Sequence, residues 1–251
     1  MSPNDNLDAP EAVARLIDHT LLKPDAARND IARLCAEARE FHFASVCINP
    51  FWVRFAAESL AGSSVRVCTV AGFPLGANET RTKIAEAELA LTQGAQEIDL
   101  VQNIGALRSG DFHAVENEIA EIGALAHSRG ALLKVILETC LLNEEEKIAA
   151  CRIAVEANAD FLKTSTGFST GGATVEDVKL MRAIAGESIG VKASGGIRTL
   201  DTLRRMVAAG ASRIGASSGV NIIREWNTGL VSKSPAPLAA AKIPGGDIDP
   251  Y

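Results

Sequence analysis

The chain has 251 residues, 47% of them hydrophobic and 22% charged, with a formal net charge of −6. That length suits one large α/β domain or two small ones, and the apolar share is ample for a core. The acid excess argues against a nucleic-acid surface, and no apolar run is long enough to span a bilayer.

The first residues are polar and acidic (Pro3-Asn4-Asp5-Asn6), without the pattern of a secretory signal. Five cysteines (Cys35, Cys47, Cys68, Cys140, Cys151) lack C-x-x-C spacing, which favours reduced thiols in a cytoplasmic protein. Four scattered histidines (His19, His42, His113, His127) give no metal-ligand pattern, so no metal site is expected.

In chain order, short β-type runs alternate with longer stretches of helical periodicity. The expected strands are Leu16–Thr20, Ser45–Ile48, Val65–Val70, Glu97–Gln102, Leu132–Glu138, Asp160–Ser165, Gly190–Ala193 and Arg213–Ala216. The intervening helices are Asn29–Phe41, Phe51–Leu60, Thr80–Thr92, Phe112–Ser128, Glu144–Glu156, Val175–Ala185 and Leu200–Ala208, with an eighth starting near Val220. Asn143 with Glu146, and Thr174 with Asp177, read as helix N-caps followed by an acid in the first turn. Gly94, Gly130, Asn158 and Gly210 stand where helices end in a left-handed residue.

Eight such βα units predict a single-domain TIM barrel over residues 8–229. An open doubly wound sheet is the competitor, but no G-x-G-x-x-G follows the first strand and no P-loop is present. From residue 230 the composition turns to Ser, Pro, Ala and Gly, which reads as a flexible C-terminal tail.

Within this frame Lys163 and Lys192 stand out as lysines in mid-strand, in Phe161-Leu162-Lys163-Thr164-Ser165-Thr166-Gly167 and Gly190-Val191-Lys192-Ala193-Ser194-Gly195-Gly196. If the flanking residues face the helices, both lysines point into the barrel and lie close together. Each ammonium disfavours charge on the other, and burial adds to that, so at least one pKa should fall. A neutral amine attacks carbonyls and forms a Schiff base. The alternative is structural, with the lysines paired to Asp18, Asp99 or Glu138. Asp99, in mid-strand among apolar neighbours, is a candidate proton shuttle or lysine counter-ion. The late clusters Ser194-Gly195-Gly196 and Gly215-Ala216-Ser217-Ser218-Gly219, helped by Gly171-Gly172, follow strands whose loops hold phosphate in many barrels. Cys47 reads as a packing residue, and Gly72-Phe73-Pro74-Leu75-Gly76 as a rigid turn at the pocket wall or a plain βα connection.

Taken together these segments resemble the deoxyribose-phosphate aldolases, a family of class I (Schiff-base) aldolases. The matching pieces include Ile17-Asp18-His19-Thr20-Leu21-Leu22-Lys23-Pro24, Val46-Cys47-Ile48-Asn49-Pro50, Lys134-Val135-Ile136-Leu137-Glu138-Thr139, Lys163-Thr164-Ser165-Thr166-Gly167 and Lys192-Ala193-Ser194-Gly195-Gly196-Ile197-Arg198. The likeness covers about Leu16 to Trp226.

The resemblance implies a Schiff base at Lys163, proton donation and acceptance by Lys192, and a proton relay through Asp99. It implies substrate contacts at Asp18, Cys47, Lys134, Thr166, Gly172, Gly195, Gly196, Ser217 and Ser218. Some members end in a tyrosine that folds over the site, which makes Tyr251 a further candidate. The implied reaction is reversible cleavage of 2-deoxyribose 5-phosphate to glyceraldehyde 3-phosphate and acetaldehyde, with no metal or other cofactor, by a homodimer. The partner is thus a small sugar phosphate rather than a nucleic acid or membrane. Two features sit apart from the pattern: Phe168 follows Lys-Thr-Ser-Thr-Gly where some members have lysine, and Gln102 has no assigned role. Another class I sugar-phosphate aldolase, and a non-catalytic phosphate-binding barrel, are the competing readings.

Overall fold

The computed structural model describes Leu7 and residues 9–229. Eight parallel strands close into a barrel in sequence order, β1 (Ile17–Leu21), β2 (Ser45–Ile48), β3 (Arg66–Ala71), β4 (Glu97–Val101), β5 (Leu132–Ile136), β6 (Phe161–Lys163), β7 (Gly190–Ser194) and β8 (Arg213–Ala216). The last strand pairs with the first through Ile17↔Ile214 and Asp18↔Gly215, which removes every sheet edge.

The surrounding helices are α1 (Pro10–Ala14), α2 (Arg28–Phe41), α3 (Val53–Ser59), α4 (Thr80–Thr92), α5 (Ile104–Arg108), α6 (Phe112–Ser128), α7 (Glu144–Glu156), α8 (Val175–Ala185), α9 (Leu200–Ala208) and α10 (Gly219–Thr228). Helices α4, α6, α7, α8 and α9 have the bounds that periodicity predicts. The two five-residue helices α1 and α5 were not expected, because five residues carry too little periodicity to read. Asn103 caps α5, its side-chain oxygen accepting the Ala106 N–H at 3.0 Å. The caps read from the sequence form: Asn143 accepts the Glu146 N–H at 2.9 Å while Glu146 accepts the Asn143 N–H at 2.8 Å, and Thr174 accepts the Asp177 N–H at 3.0 Å. Gly94, Gly130, Asn158 and Gly210 all have positive φ.

Two strands, β5 and β6, end two residues earlier than expected, for local reasons. β5 stops at Ile136 because Glu138 takes a left-handed conformation (φ 55°) that no strand accommodates. β6 stops at Lys163 because Thr164 replaces the ladder with side-chain bonds, donating its hydroxyl to the Ser194 carbonyl (3.1 Å) and accepting the Ser194 N–H (3.0 Å).

The apolar core lies outside the barrel, between strands and helices. Ile98, Leu100, Leu133, Val135, Leu162, Val191, Ala193 and Ile214 are fully buried there. Inside, the alternate residues form only a small apolar group of Leu22, Cys47, Cys68 and Val70 with Phe73 packed on it. Much of the rest of the interior is polar or charged. Among the described residues no helix is long and apolar enough to cross a membrane.

Candidate active site

Lys163 and Lys192 are register partners on β6 and β7, so their side chains leave the wall side by side. Both Nζ atoms lie 2.7 Å from the same oxygen, Asp99 Oδ2, on β4. Asp99 Oδ1 accepts from Lys134 Nζ at 2.8 Å and from the Cys68 thiol at 3.1 Å. One carboxylate therefore gathers three ammonium groups, all with 3% side-chain exposure or less. Lys192 also pairs with Asp18 Oδ2 at 2.5 Å, and Asp18 Oδ1 accepts from Ser45 Oγ and Arg213 Nε, both at 2.6 Å.

The electrostatics follow from these distances. Burial alone would push the Asp99 carboxyl up, but Lys134, Lys163 and Lys192 outweigh it and hold it well below the ordinary carboxylate range. Asp18 goes the same way, burial being overcome by Lys192 and Arg213. At Lys192 burial favours the neutral amine, yet Asp18 and Asp99 more than reverse this, and its pKa lies above that of a free lysine. Mutual repulsion of the two ammonium groups therefore does not lower the pKa of Lys192, because two carboxylates contact it. The structural alternative holds in part: Lys163 and Lys192 do pair with Asp99, and Lys192 with Asp18. Glu138 takes no lysine; it accepts the Thr166 hydroxyl and, at 3.2 Å, the Thr166 N–H.

Above this cluster opens a cavity of about 450 Å3 at the C-terminal ends of β1, β6, β7 and β8. Lys163 reaches it from below. Thr166, Gly167 and Phe168, then Ser194, Gly195, Gly196, Ile197 and Arg198, and then Gly215, Ala216 and Ser217 form its walls, with Lys23 at the rim. Gly215 is required by space: a Cβ there would come within 2.5 Å of Ser194 Oγ and 3.2 Å of Lys192 Cε. Among the described residues the buried Ser165 and Ser194 hydroxyls have no hydrogen-bond partner, and Ser194 borders the cavity.

The sequence candidates fall into three groups. Lys163, Thr166, Gly195, Gly196 and Ser217 border the cavity, while Lys192, Asp99, Asp18, Cys47 and Lys134 lie beneath its floor. Gly172 and Ser218 are not on its wall. Gly172 instead meets Gly195 backbone to backbone, and a Cβ on it would sit 2.4 Å from the Gly195 carbonyl oxygen. Ser218 is the residue preceding α10. Tyr251 lies outside the described residues.

Gln102 acquires a structural place: its side-chain amide donates to the Leu137 carbonyl at 2.9 Å, tying the end of β4 to that of β5. His19 is buried and bonds Glu37 at 2.7 Å, and His42 ends α2 with positive φ, so neither enters the site. Phe73 packs edge-on to Phe168 with ring centroids 5.2 Å apart, which brings the turn after β3 to the loop after β6.

Sequence reasoning missed Glu97 and Arg213, the first residues of β4 and β8. Glu97 accepts two bonds from Arg213 Nη2 (2.7 and 2.8 Å) and pairs with Lys134 at 2.6 Å. The signal was present, since Glu97 and Asp99 share one face of a strand by period-two alternation. Ligand atoms of Cys47, Cys68 and Asp99 lie within 4.8 Å of one another. A cation there would face the three ammonium groups already on Asp99, so the chemistry of the cluster does not fit a metal.

Comparison with known proteins agrees with this geometry. A family model described as DeoC/LacD family aldolase matches residues 12–225. A deoxyribose-phosphate aldolase of Caldanaerobacter subterraneus subsp. tengcongensis is 58% identical over 215 residues, 85% of this chain and 93% of that one. One from Brevibacillus brevis is 60% identical over 209 residues, 83% and 94% of the respective chains. Among solved structures, the tetrameric deoxyribose phosphate aldolase of Aeropyrum pernix superposes with TM-score 0.85 at 35% identity, covering 91% of this chain and 96% of that one. The aldolase QR15 gives 0.81 at 44% identity, covering 86% and 96%.

Proposed function

The chain belongs to the DeoC/LacD aldolase family, and we propose that it cleaves 2-deoxyribose 5-phosphate reversibly to glyceraldehyde 3-phosphate and acetaldehyde through an imine on Lys163. The observation that carries this reading is the shared carboxylate. Lys163, which borders the cavity, and Lys192, which lies beneath its floor, both sit 2.7 Å from Asp99 Oδ2.

The chemistry can be written from those groups. The unprotonated Lys163 amine adds to the aldehyde carbon of the open-chain sugar, giving a carbinolamine. Lys192, held as an ammonium by Asp18 and Asp99, donates a proton to the departing hydroxyl, and water leaves. The protonated imine then draws in the electron pair of the C2–C3 bond as the C3 hydroxyl gives up its proton, through water, to the Lys192 amine left neutral by the dehydration. Glyceraldehyde 3-phosphate departs, leaving an enamine on Lys163. Protonation at C2 regenerates the imine, and water releases acetaldehyde. Asp99 Oδ2 accepts from both amines and orients them, and Asp99 takes part in a proton relay between them through water.

The phosphate is placed on the Gly195, Gly196 and Ser217 side of the cavity, with Lys23 and Arg198 supplying positive charge. Phe168 adds an apolar wall where some relatives place a lysine. We also propose a homodimer with reduced thiols in the cytoplasm; the five cysteines are all free. Borohydride reduction in the presence of acetaldehyde is expected to add a two-carbon adduct to Lys163, lost in Lys163→Ala. No adduct at all would favour a phosphate-binding barrel without chemistry, and an adduct on Lys192 would reverse the two roles.

A further inference from the structure

The buried charges of the interior close into a ring. Starting at Asp99, the ring runs to Lys134 (2.8 Å), Glu97 (2.6 Å), Arg213 (2.7 Å), Asp18 (2.6 Å) and Lys192 (2.5 Å), and returns to Asp99 (2.7 Å). Signs alternate at every step, three carboxylates against three cations. Lys163 is the seventh member, attached at Asp99 Oδ2 outside the ring.

The ring by itself is neutral. A protonated Lys163 leaves the buried cluster with one surplus positive charge, and an unprotonated Lys163 leaves it balanced. Burying uncompensated charge is costly, so the charge carried by the ring bears on whether Lys163 holds its proton. We infer that Glu97 and Arg213, which touch no part of the cavity, are positioning residues that complete this charge balance and thereby set the pH above which Lys163 is free to react. The inference rests on the Lys163 imine proposed above.

Lys23 and Arg198 line the cavity that Lys163 borders, but both are exposed and their charges are screened by solvent. The Cys47 and Cys68 thiols hydrogen-bond toward Asp99, and Glu138 is taken up by Thr166 on the far side of β5. Arg66 reaches Glu97 at 3.4 Å, but its side chain is half exposed and solvated. Arg213 is further held over the Phe161 ring, 5.7 Å from its centroid, and its side chain is only 12% exposed, so its charge is not screened.

The test follows imine capture at Lys163 with acetaldehyde and borohydride across a pH series, read by mass. Removing a ring cation leaves the cluster short of positive charge, so Arg213→Gln should retain the Lys163 proton and move the half-maximal pH up by about one unit. Removing a ring carboxylate should do the opposite, Glu97→Gln moving it down by a similar amount. Arg213→Lys, which keeps the charge, should restore the parent midpoint. If Arg213→Gln fails to fold, Lys134→Met substitutes for it with the same expected sign. Absence of an adduct in the parent protein at every pH would sink the imine reading itself. A normal adduct in the parent with midpoints that stay put, or that move the same way in both variants, would overturn the ring inference alone.

Discussion

The two faces of the barrel wall are built from the same strands and obey opposite rules. On β6, Leu162 points outward into an apolar layer beneath the helices, and Lys163 points inward to a carboxylate. On β4, Ile98 and Leu100 face out, while Glu97 and Asp99 face in. Many barrels fill the interior with branched apolar side chains. Here stability is delegated to the outer layer, and the inner face is given over to ions whose desolvation costs about as much as their attraction returns. The contrast teaches that neighbouring residues on one strand can be separated by role, one holding the fold and the next holding the reaction.

Exchanging the roles on β6 is the strongest way to break that contrast. Lys163→Met should lower turnover by about four orders of magnitude or more while leaving Tm unchanged or higher, since an apolar side chain replaces a buried amine and Asp99 keeps Lys134 and Lys192 as partners. Leu162→Ala, one residue away, should lose about 2–5 kcal/mol of stability, read by denaturant unfolding, while the folded fraction still captures acetaldehyde on Lys163. A Lys163→Met variant that unfolds, or a folded Leu162→Ala variant with no imine, would erase the division between the faces.

Acid sharpens the comparison, because the fully buried carboxylates with the most depressed values lie on the inner face. The folded pKa values of Asp18 and Asp99 lie below those of the unfolded chain. Their stabilisation is therefore complete above the unfolded carboxylate value near pH 4 and is lost as pH falls below it. Tm should drop by roughly 5 °C or more on going below pH 4, and Asp18→Asn should flatten the drop. A smaller effect belongs to the helical shell: Asn143→Ala removes the cap of α7 and should cost about 1 kcal/mol with no change in the pH dependence of capture.

What could be read in the sequence follows from the same division. Long helices with an apolar stripe, such as α6 and α8, announce themselves by period, and so does the strand–helix rhythm that predicts the barrel. Lys163, Lys192 and Asp99 were legible because each is a charged residue amid apolar neighbours in mid-strand. Glu97 and Arg213 were passed over because they begin their strands, where a charge usually reaches solvent. Their joining depends on the closure of the barrel and on the shear that brings Arg213 level with Lys192 on the neighbouring strand. The ring is a tertiary property: its members lie between residues 18 and 213 and no local window contains two opposite partners. The rise at Lys192 has the same tertiary origin, since Asp18 reaches it only through the folded interior.

The contact of Gly172 with Gly195 bears on how this site can change over generations. Because the loops after β6 and β7 touch main chain to main chain, any side chain at Gly172 would strike the Gly195 carbonyl. Neither loop can drift by single steps toward a new substrate without first separating from the other. Variation in the acceptor should therefore enter through the rim, at Lys23, Phe168 and Arg198, and leave the glycine seam untouched. A selected library spanning both sets of positions would return glycine at the seam and diversity at the rim.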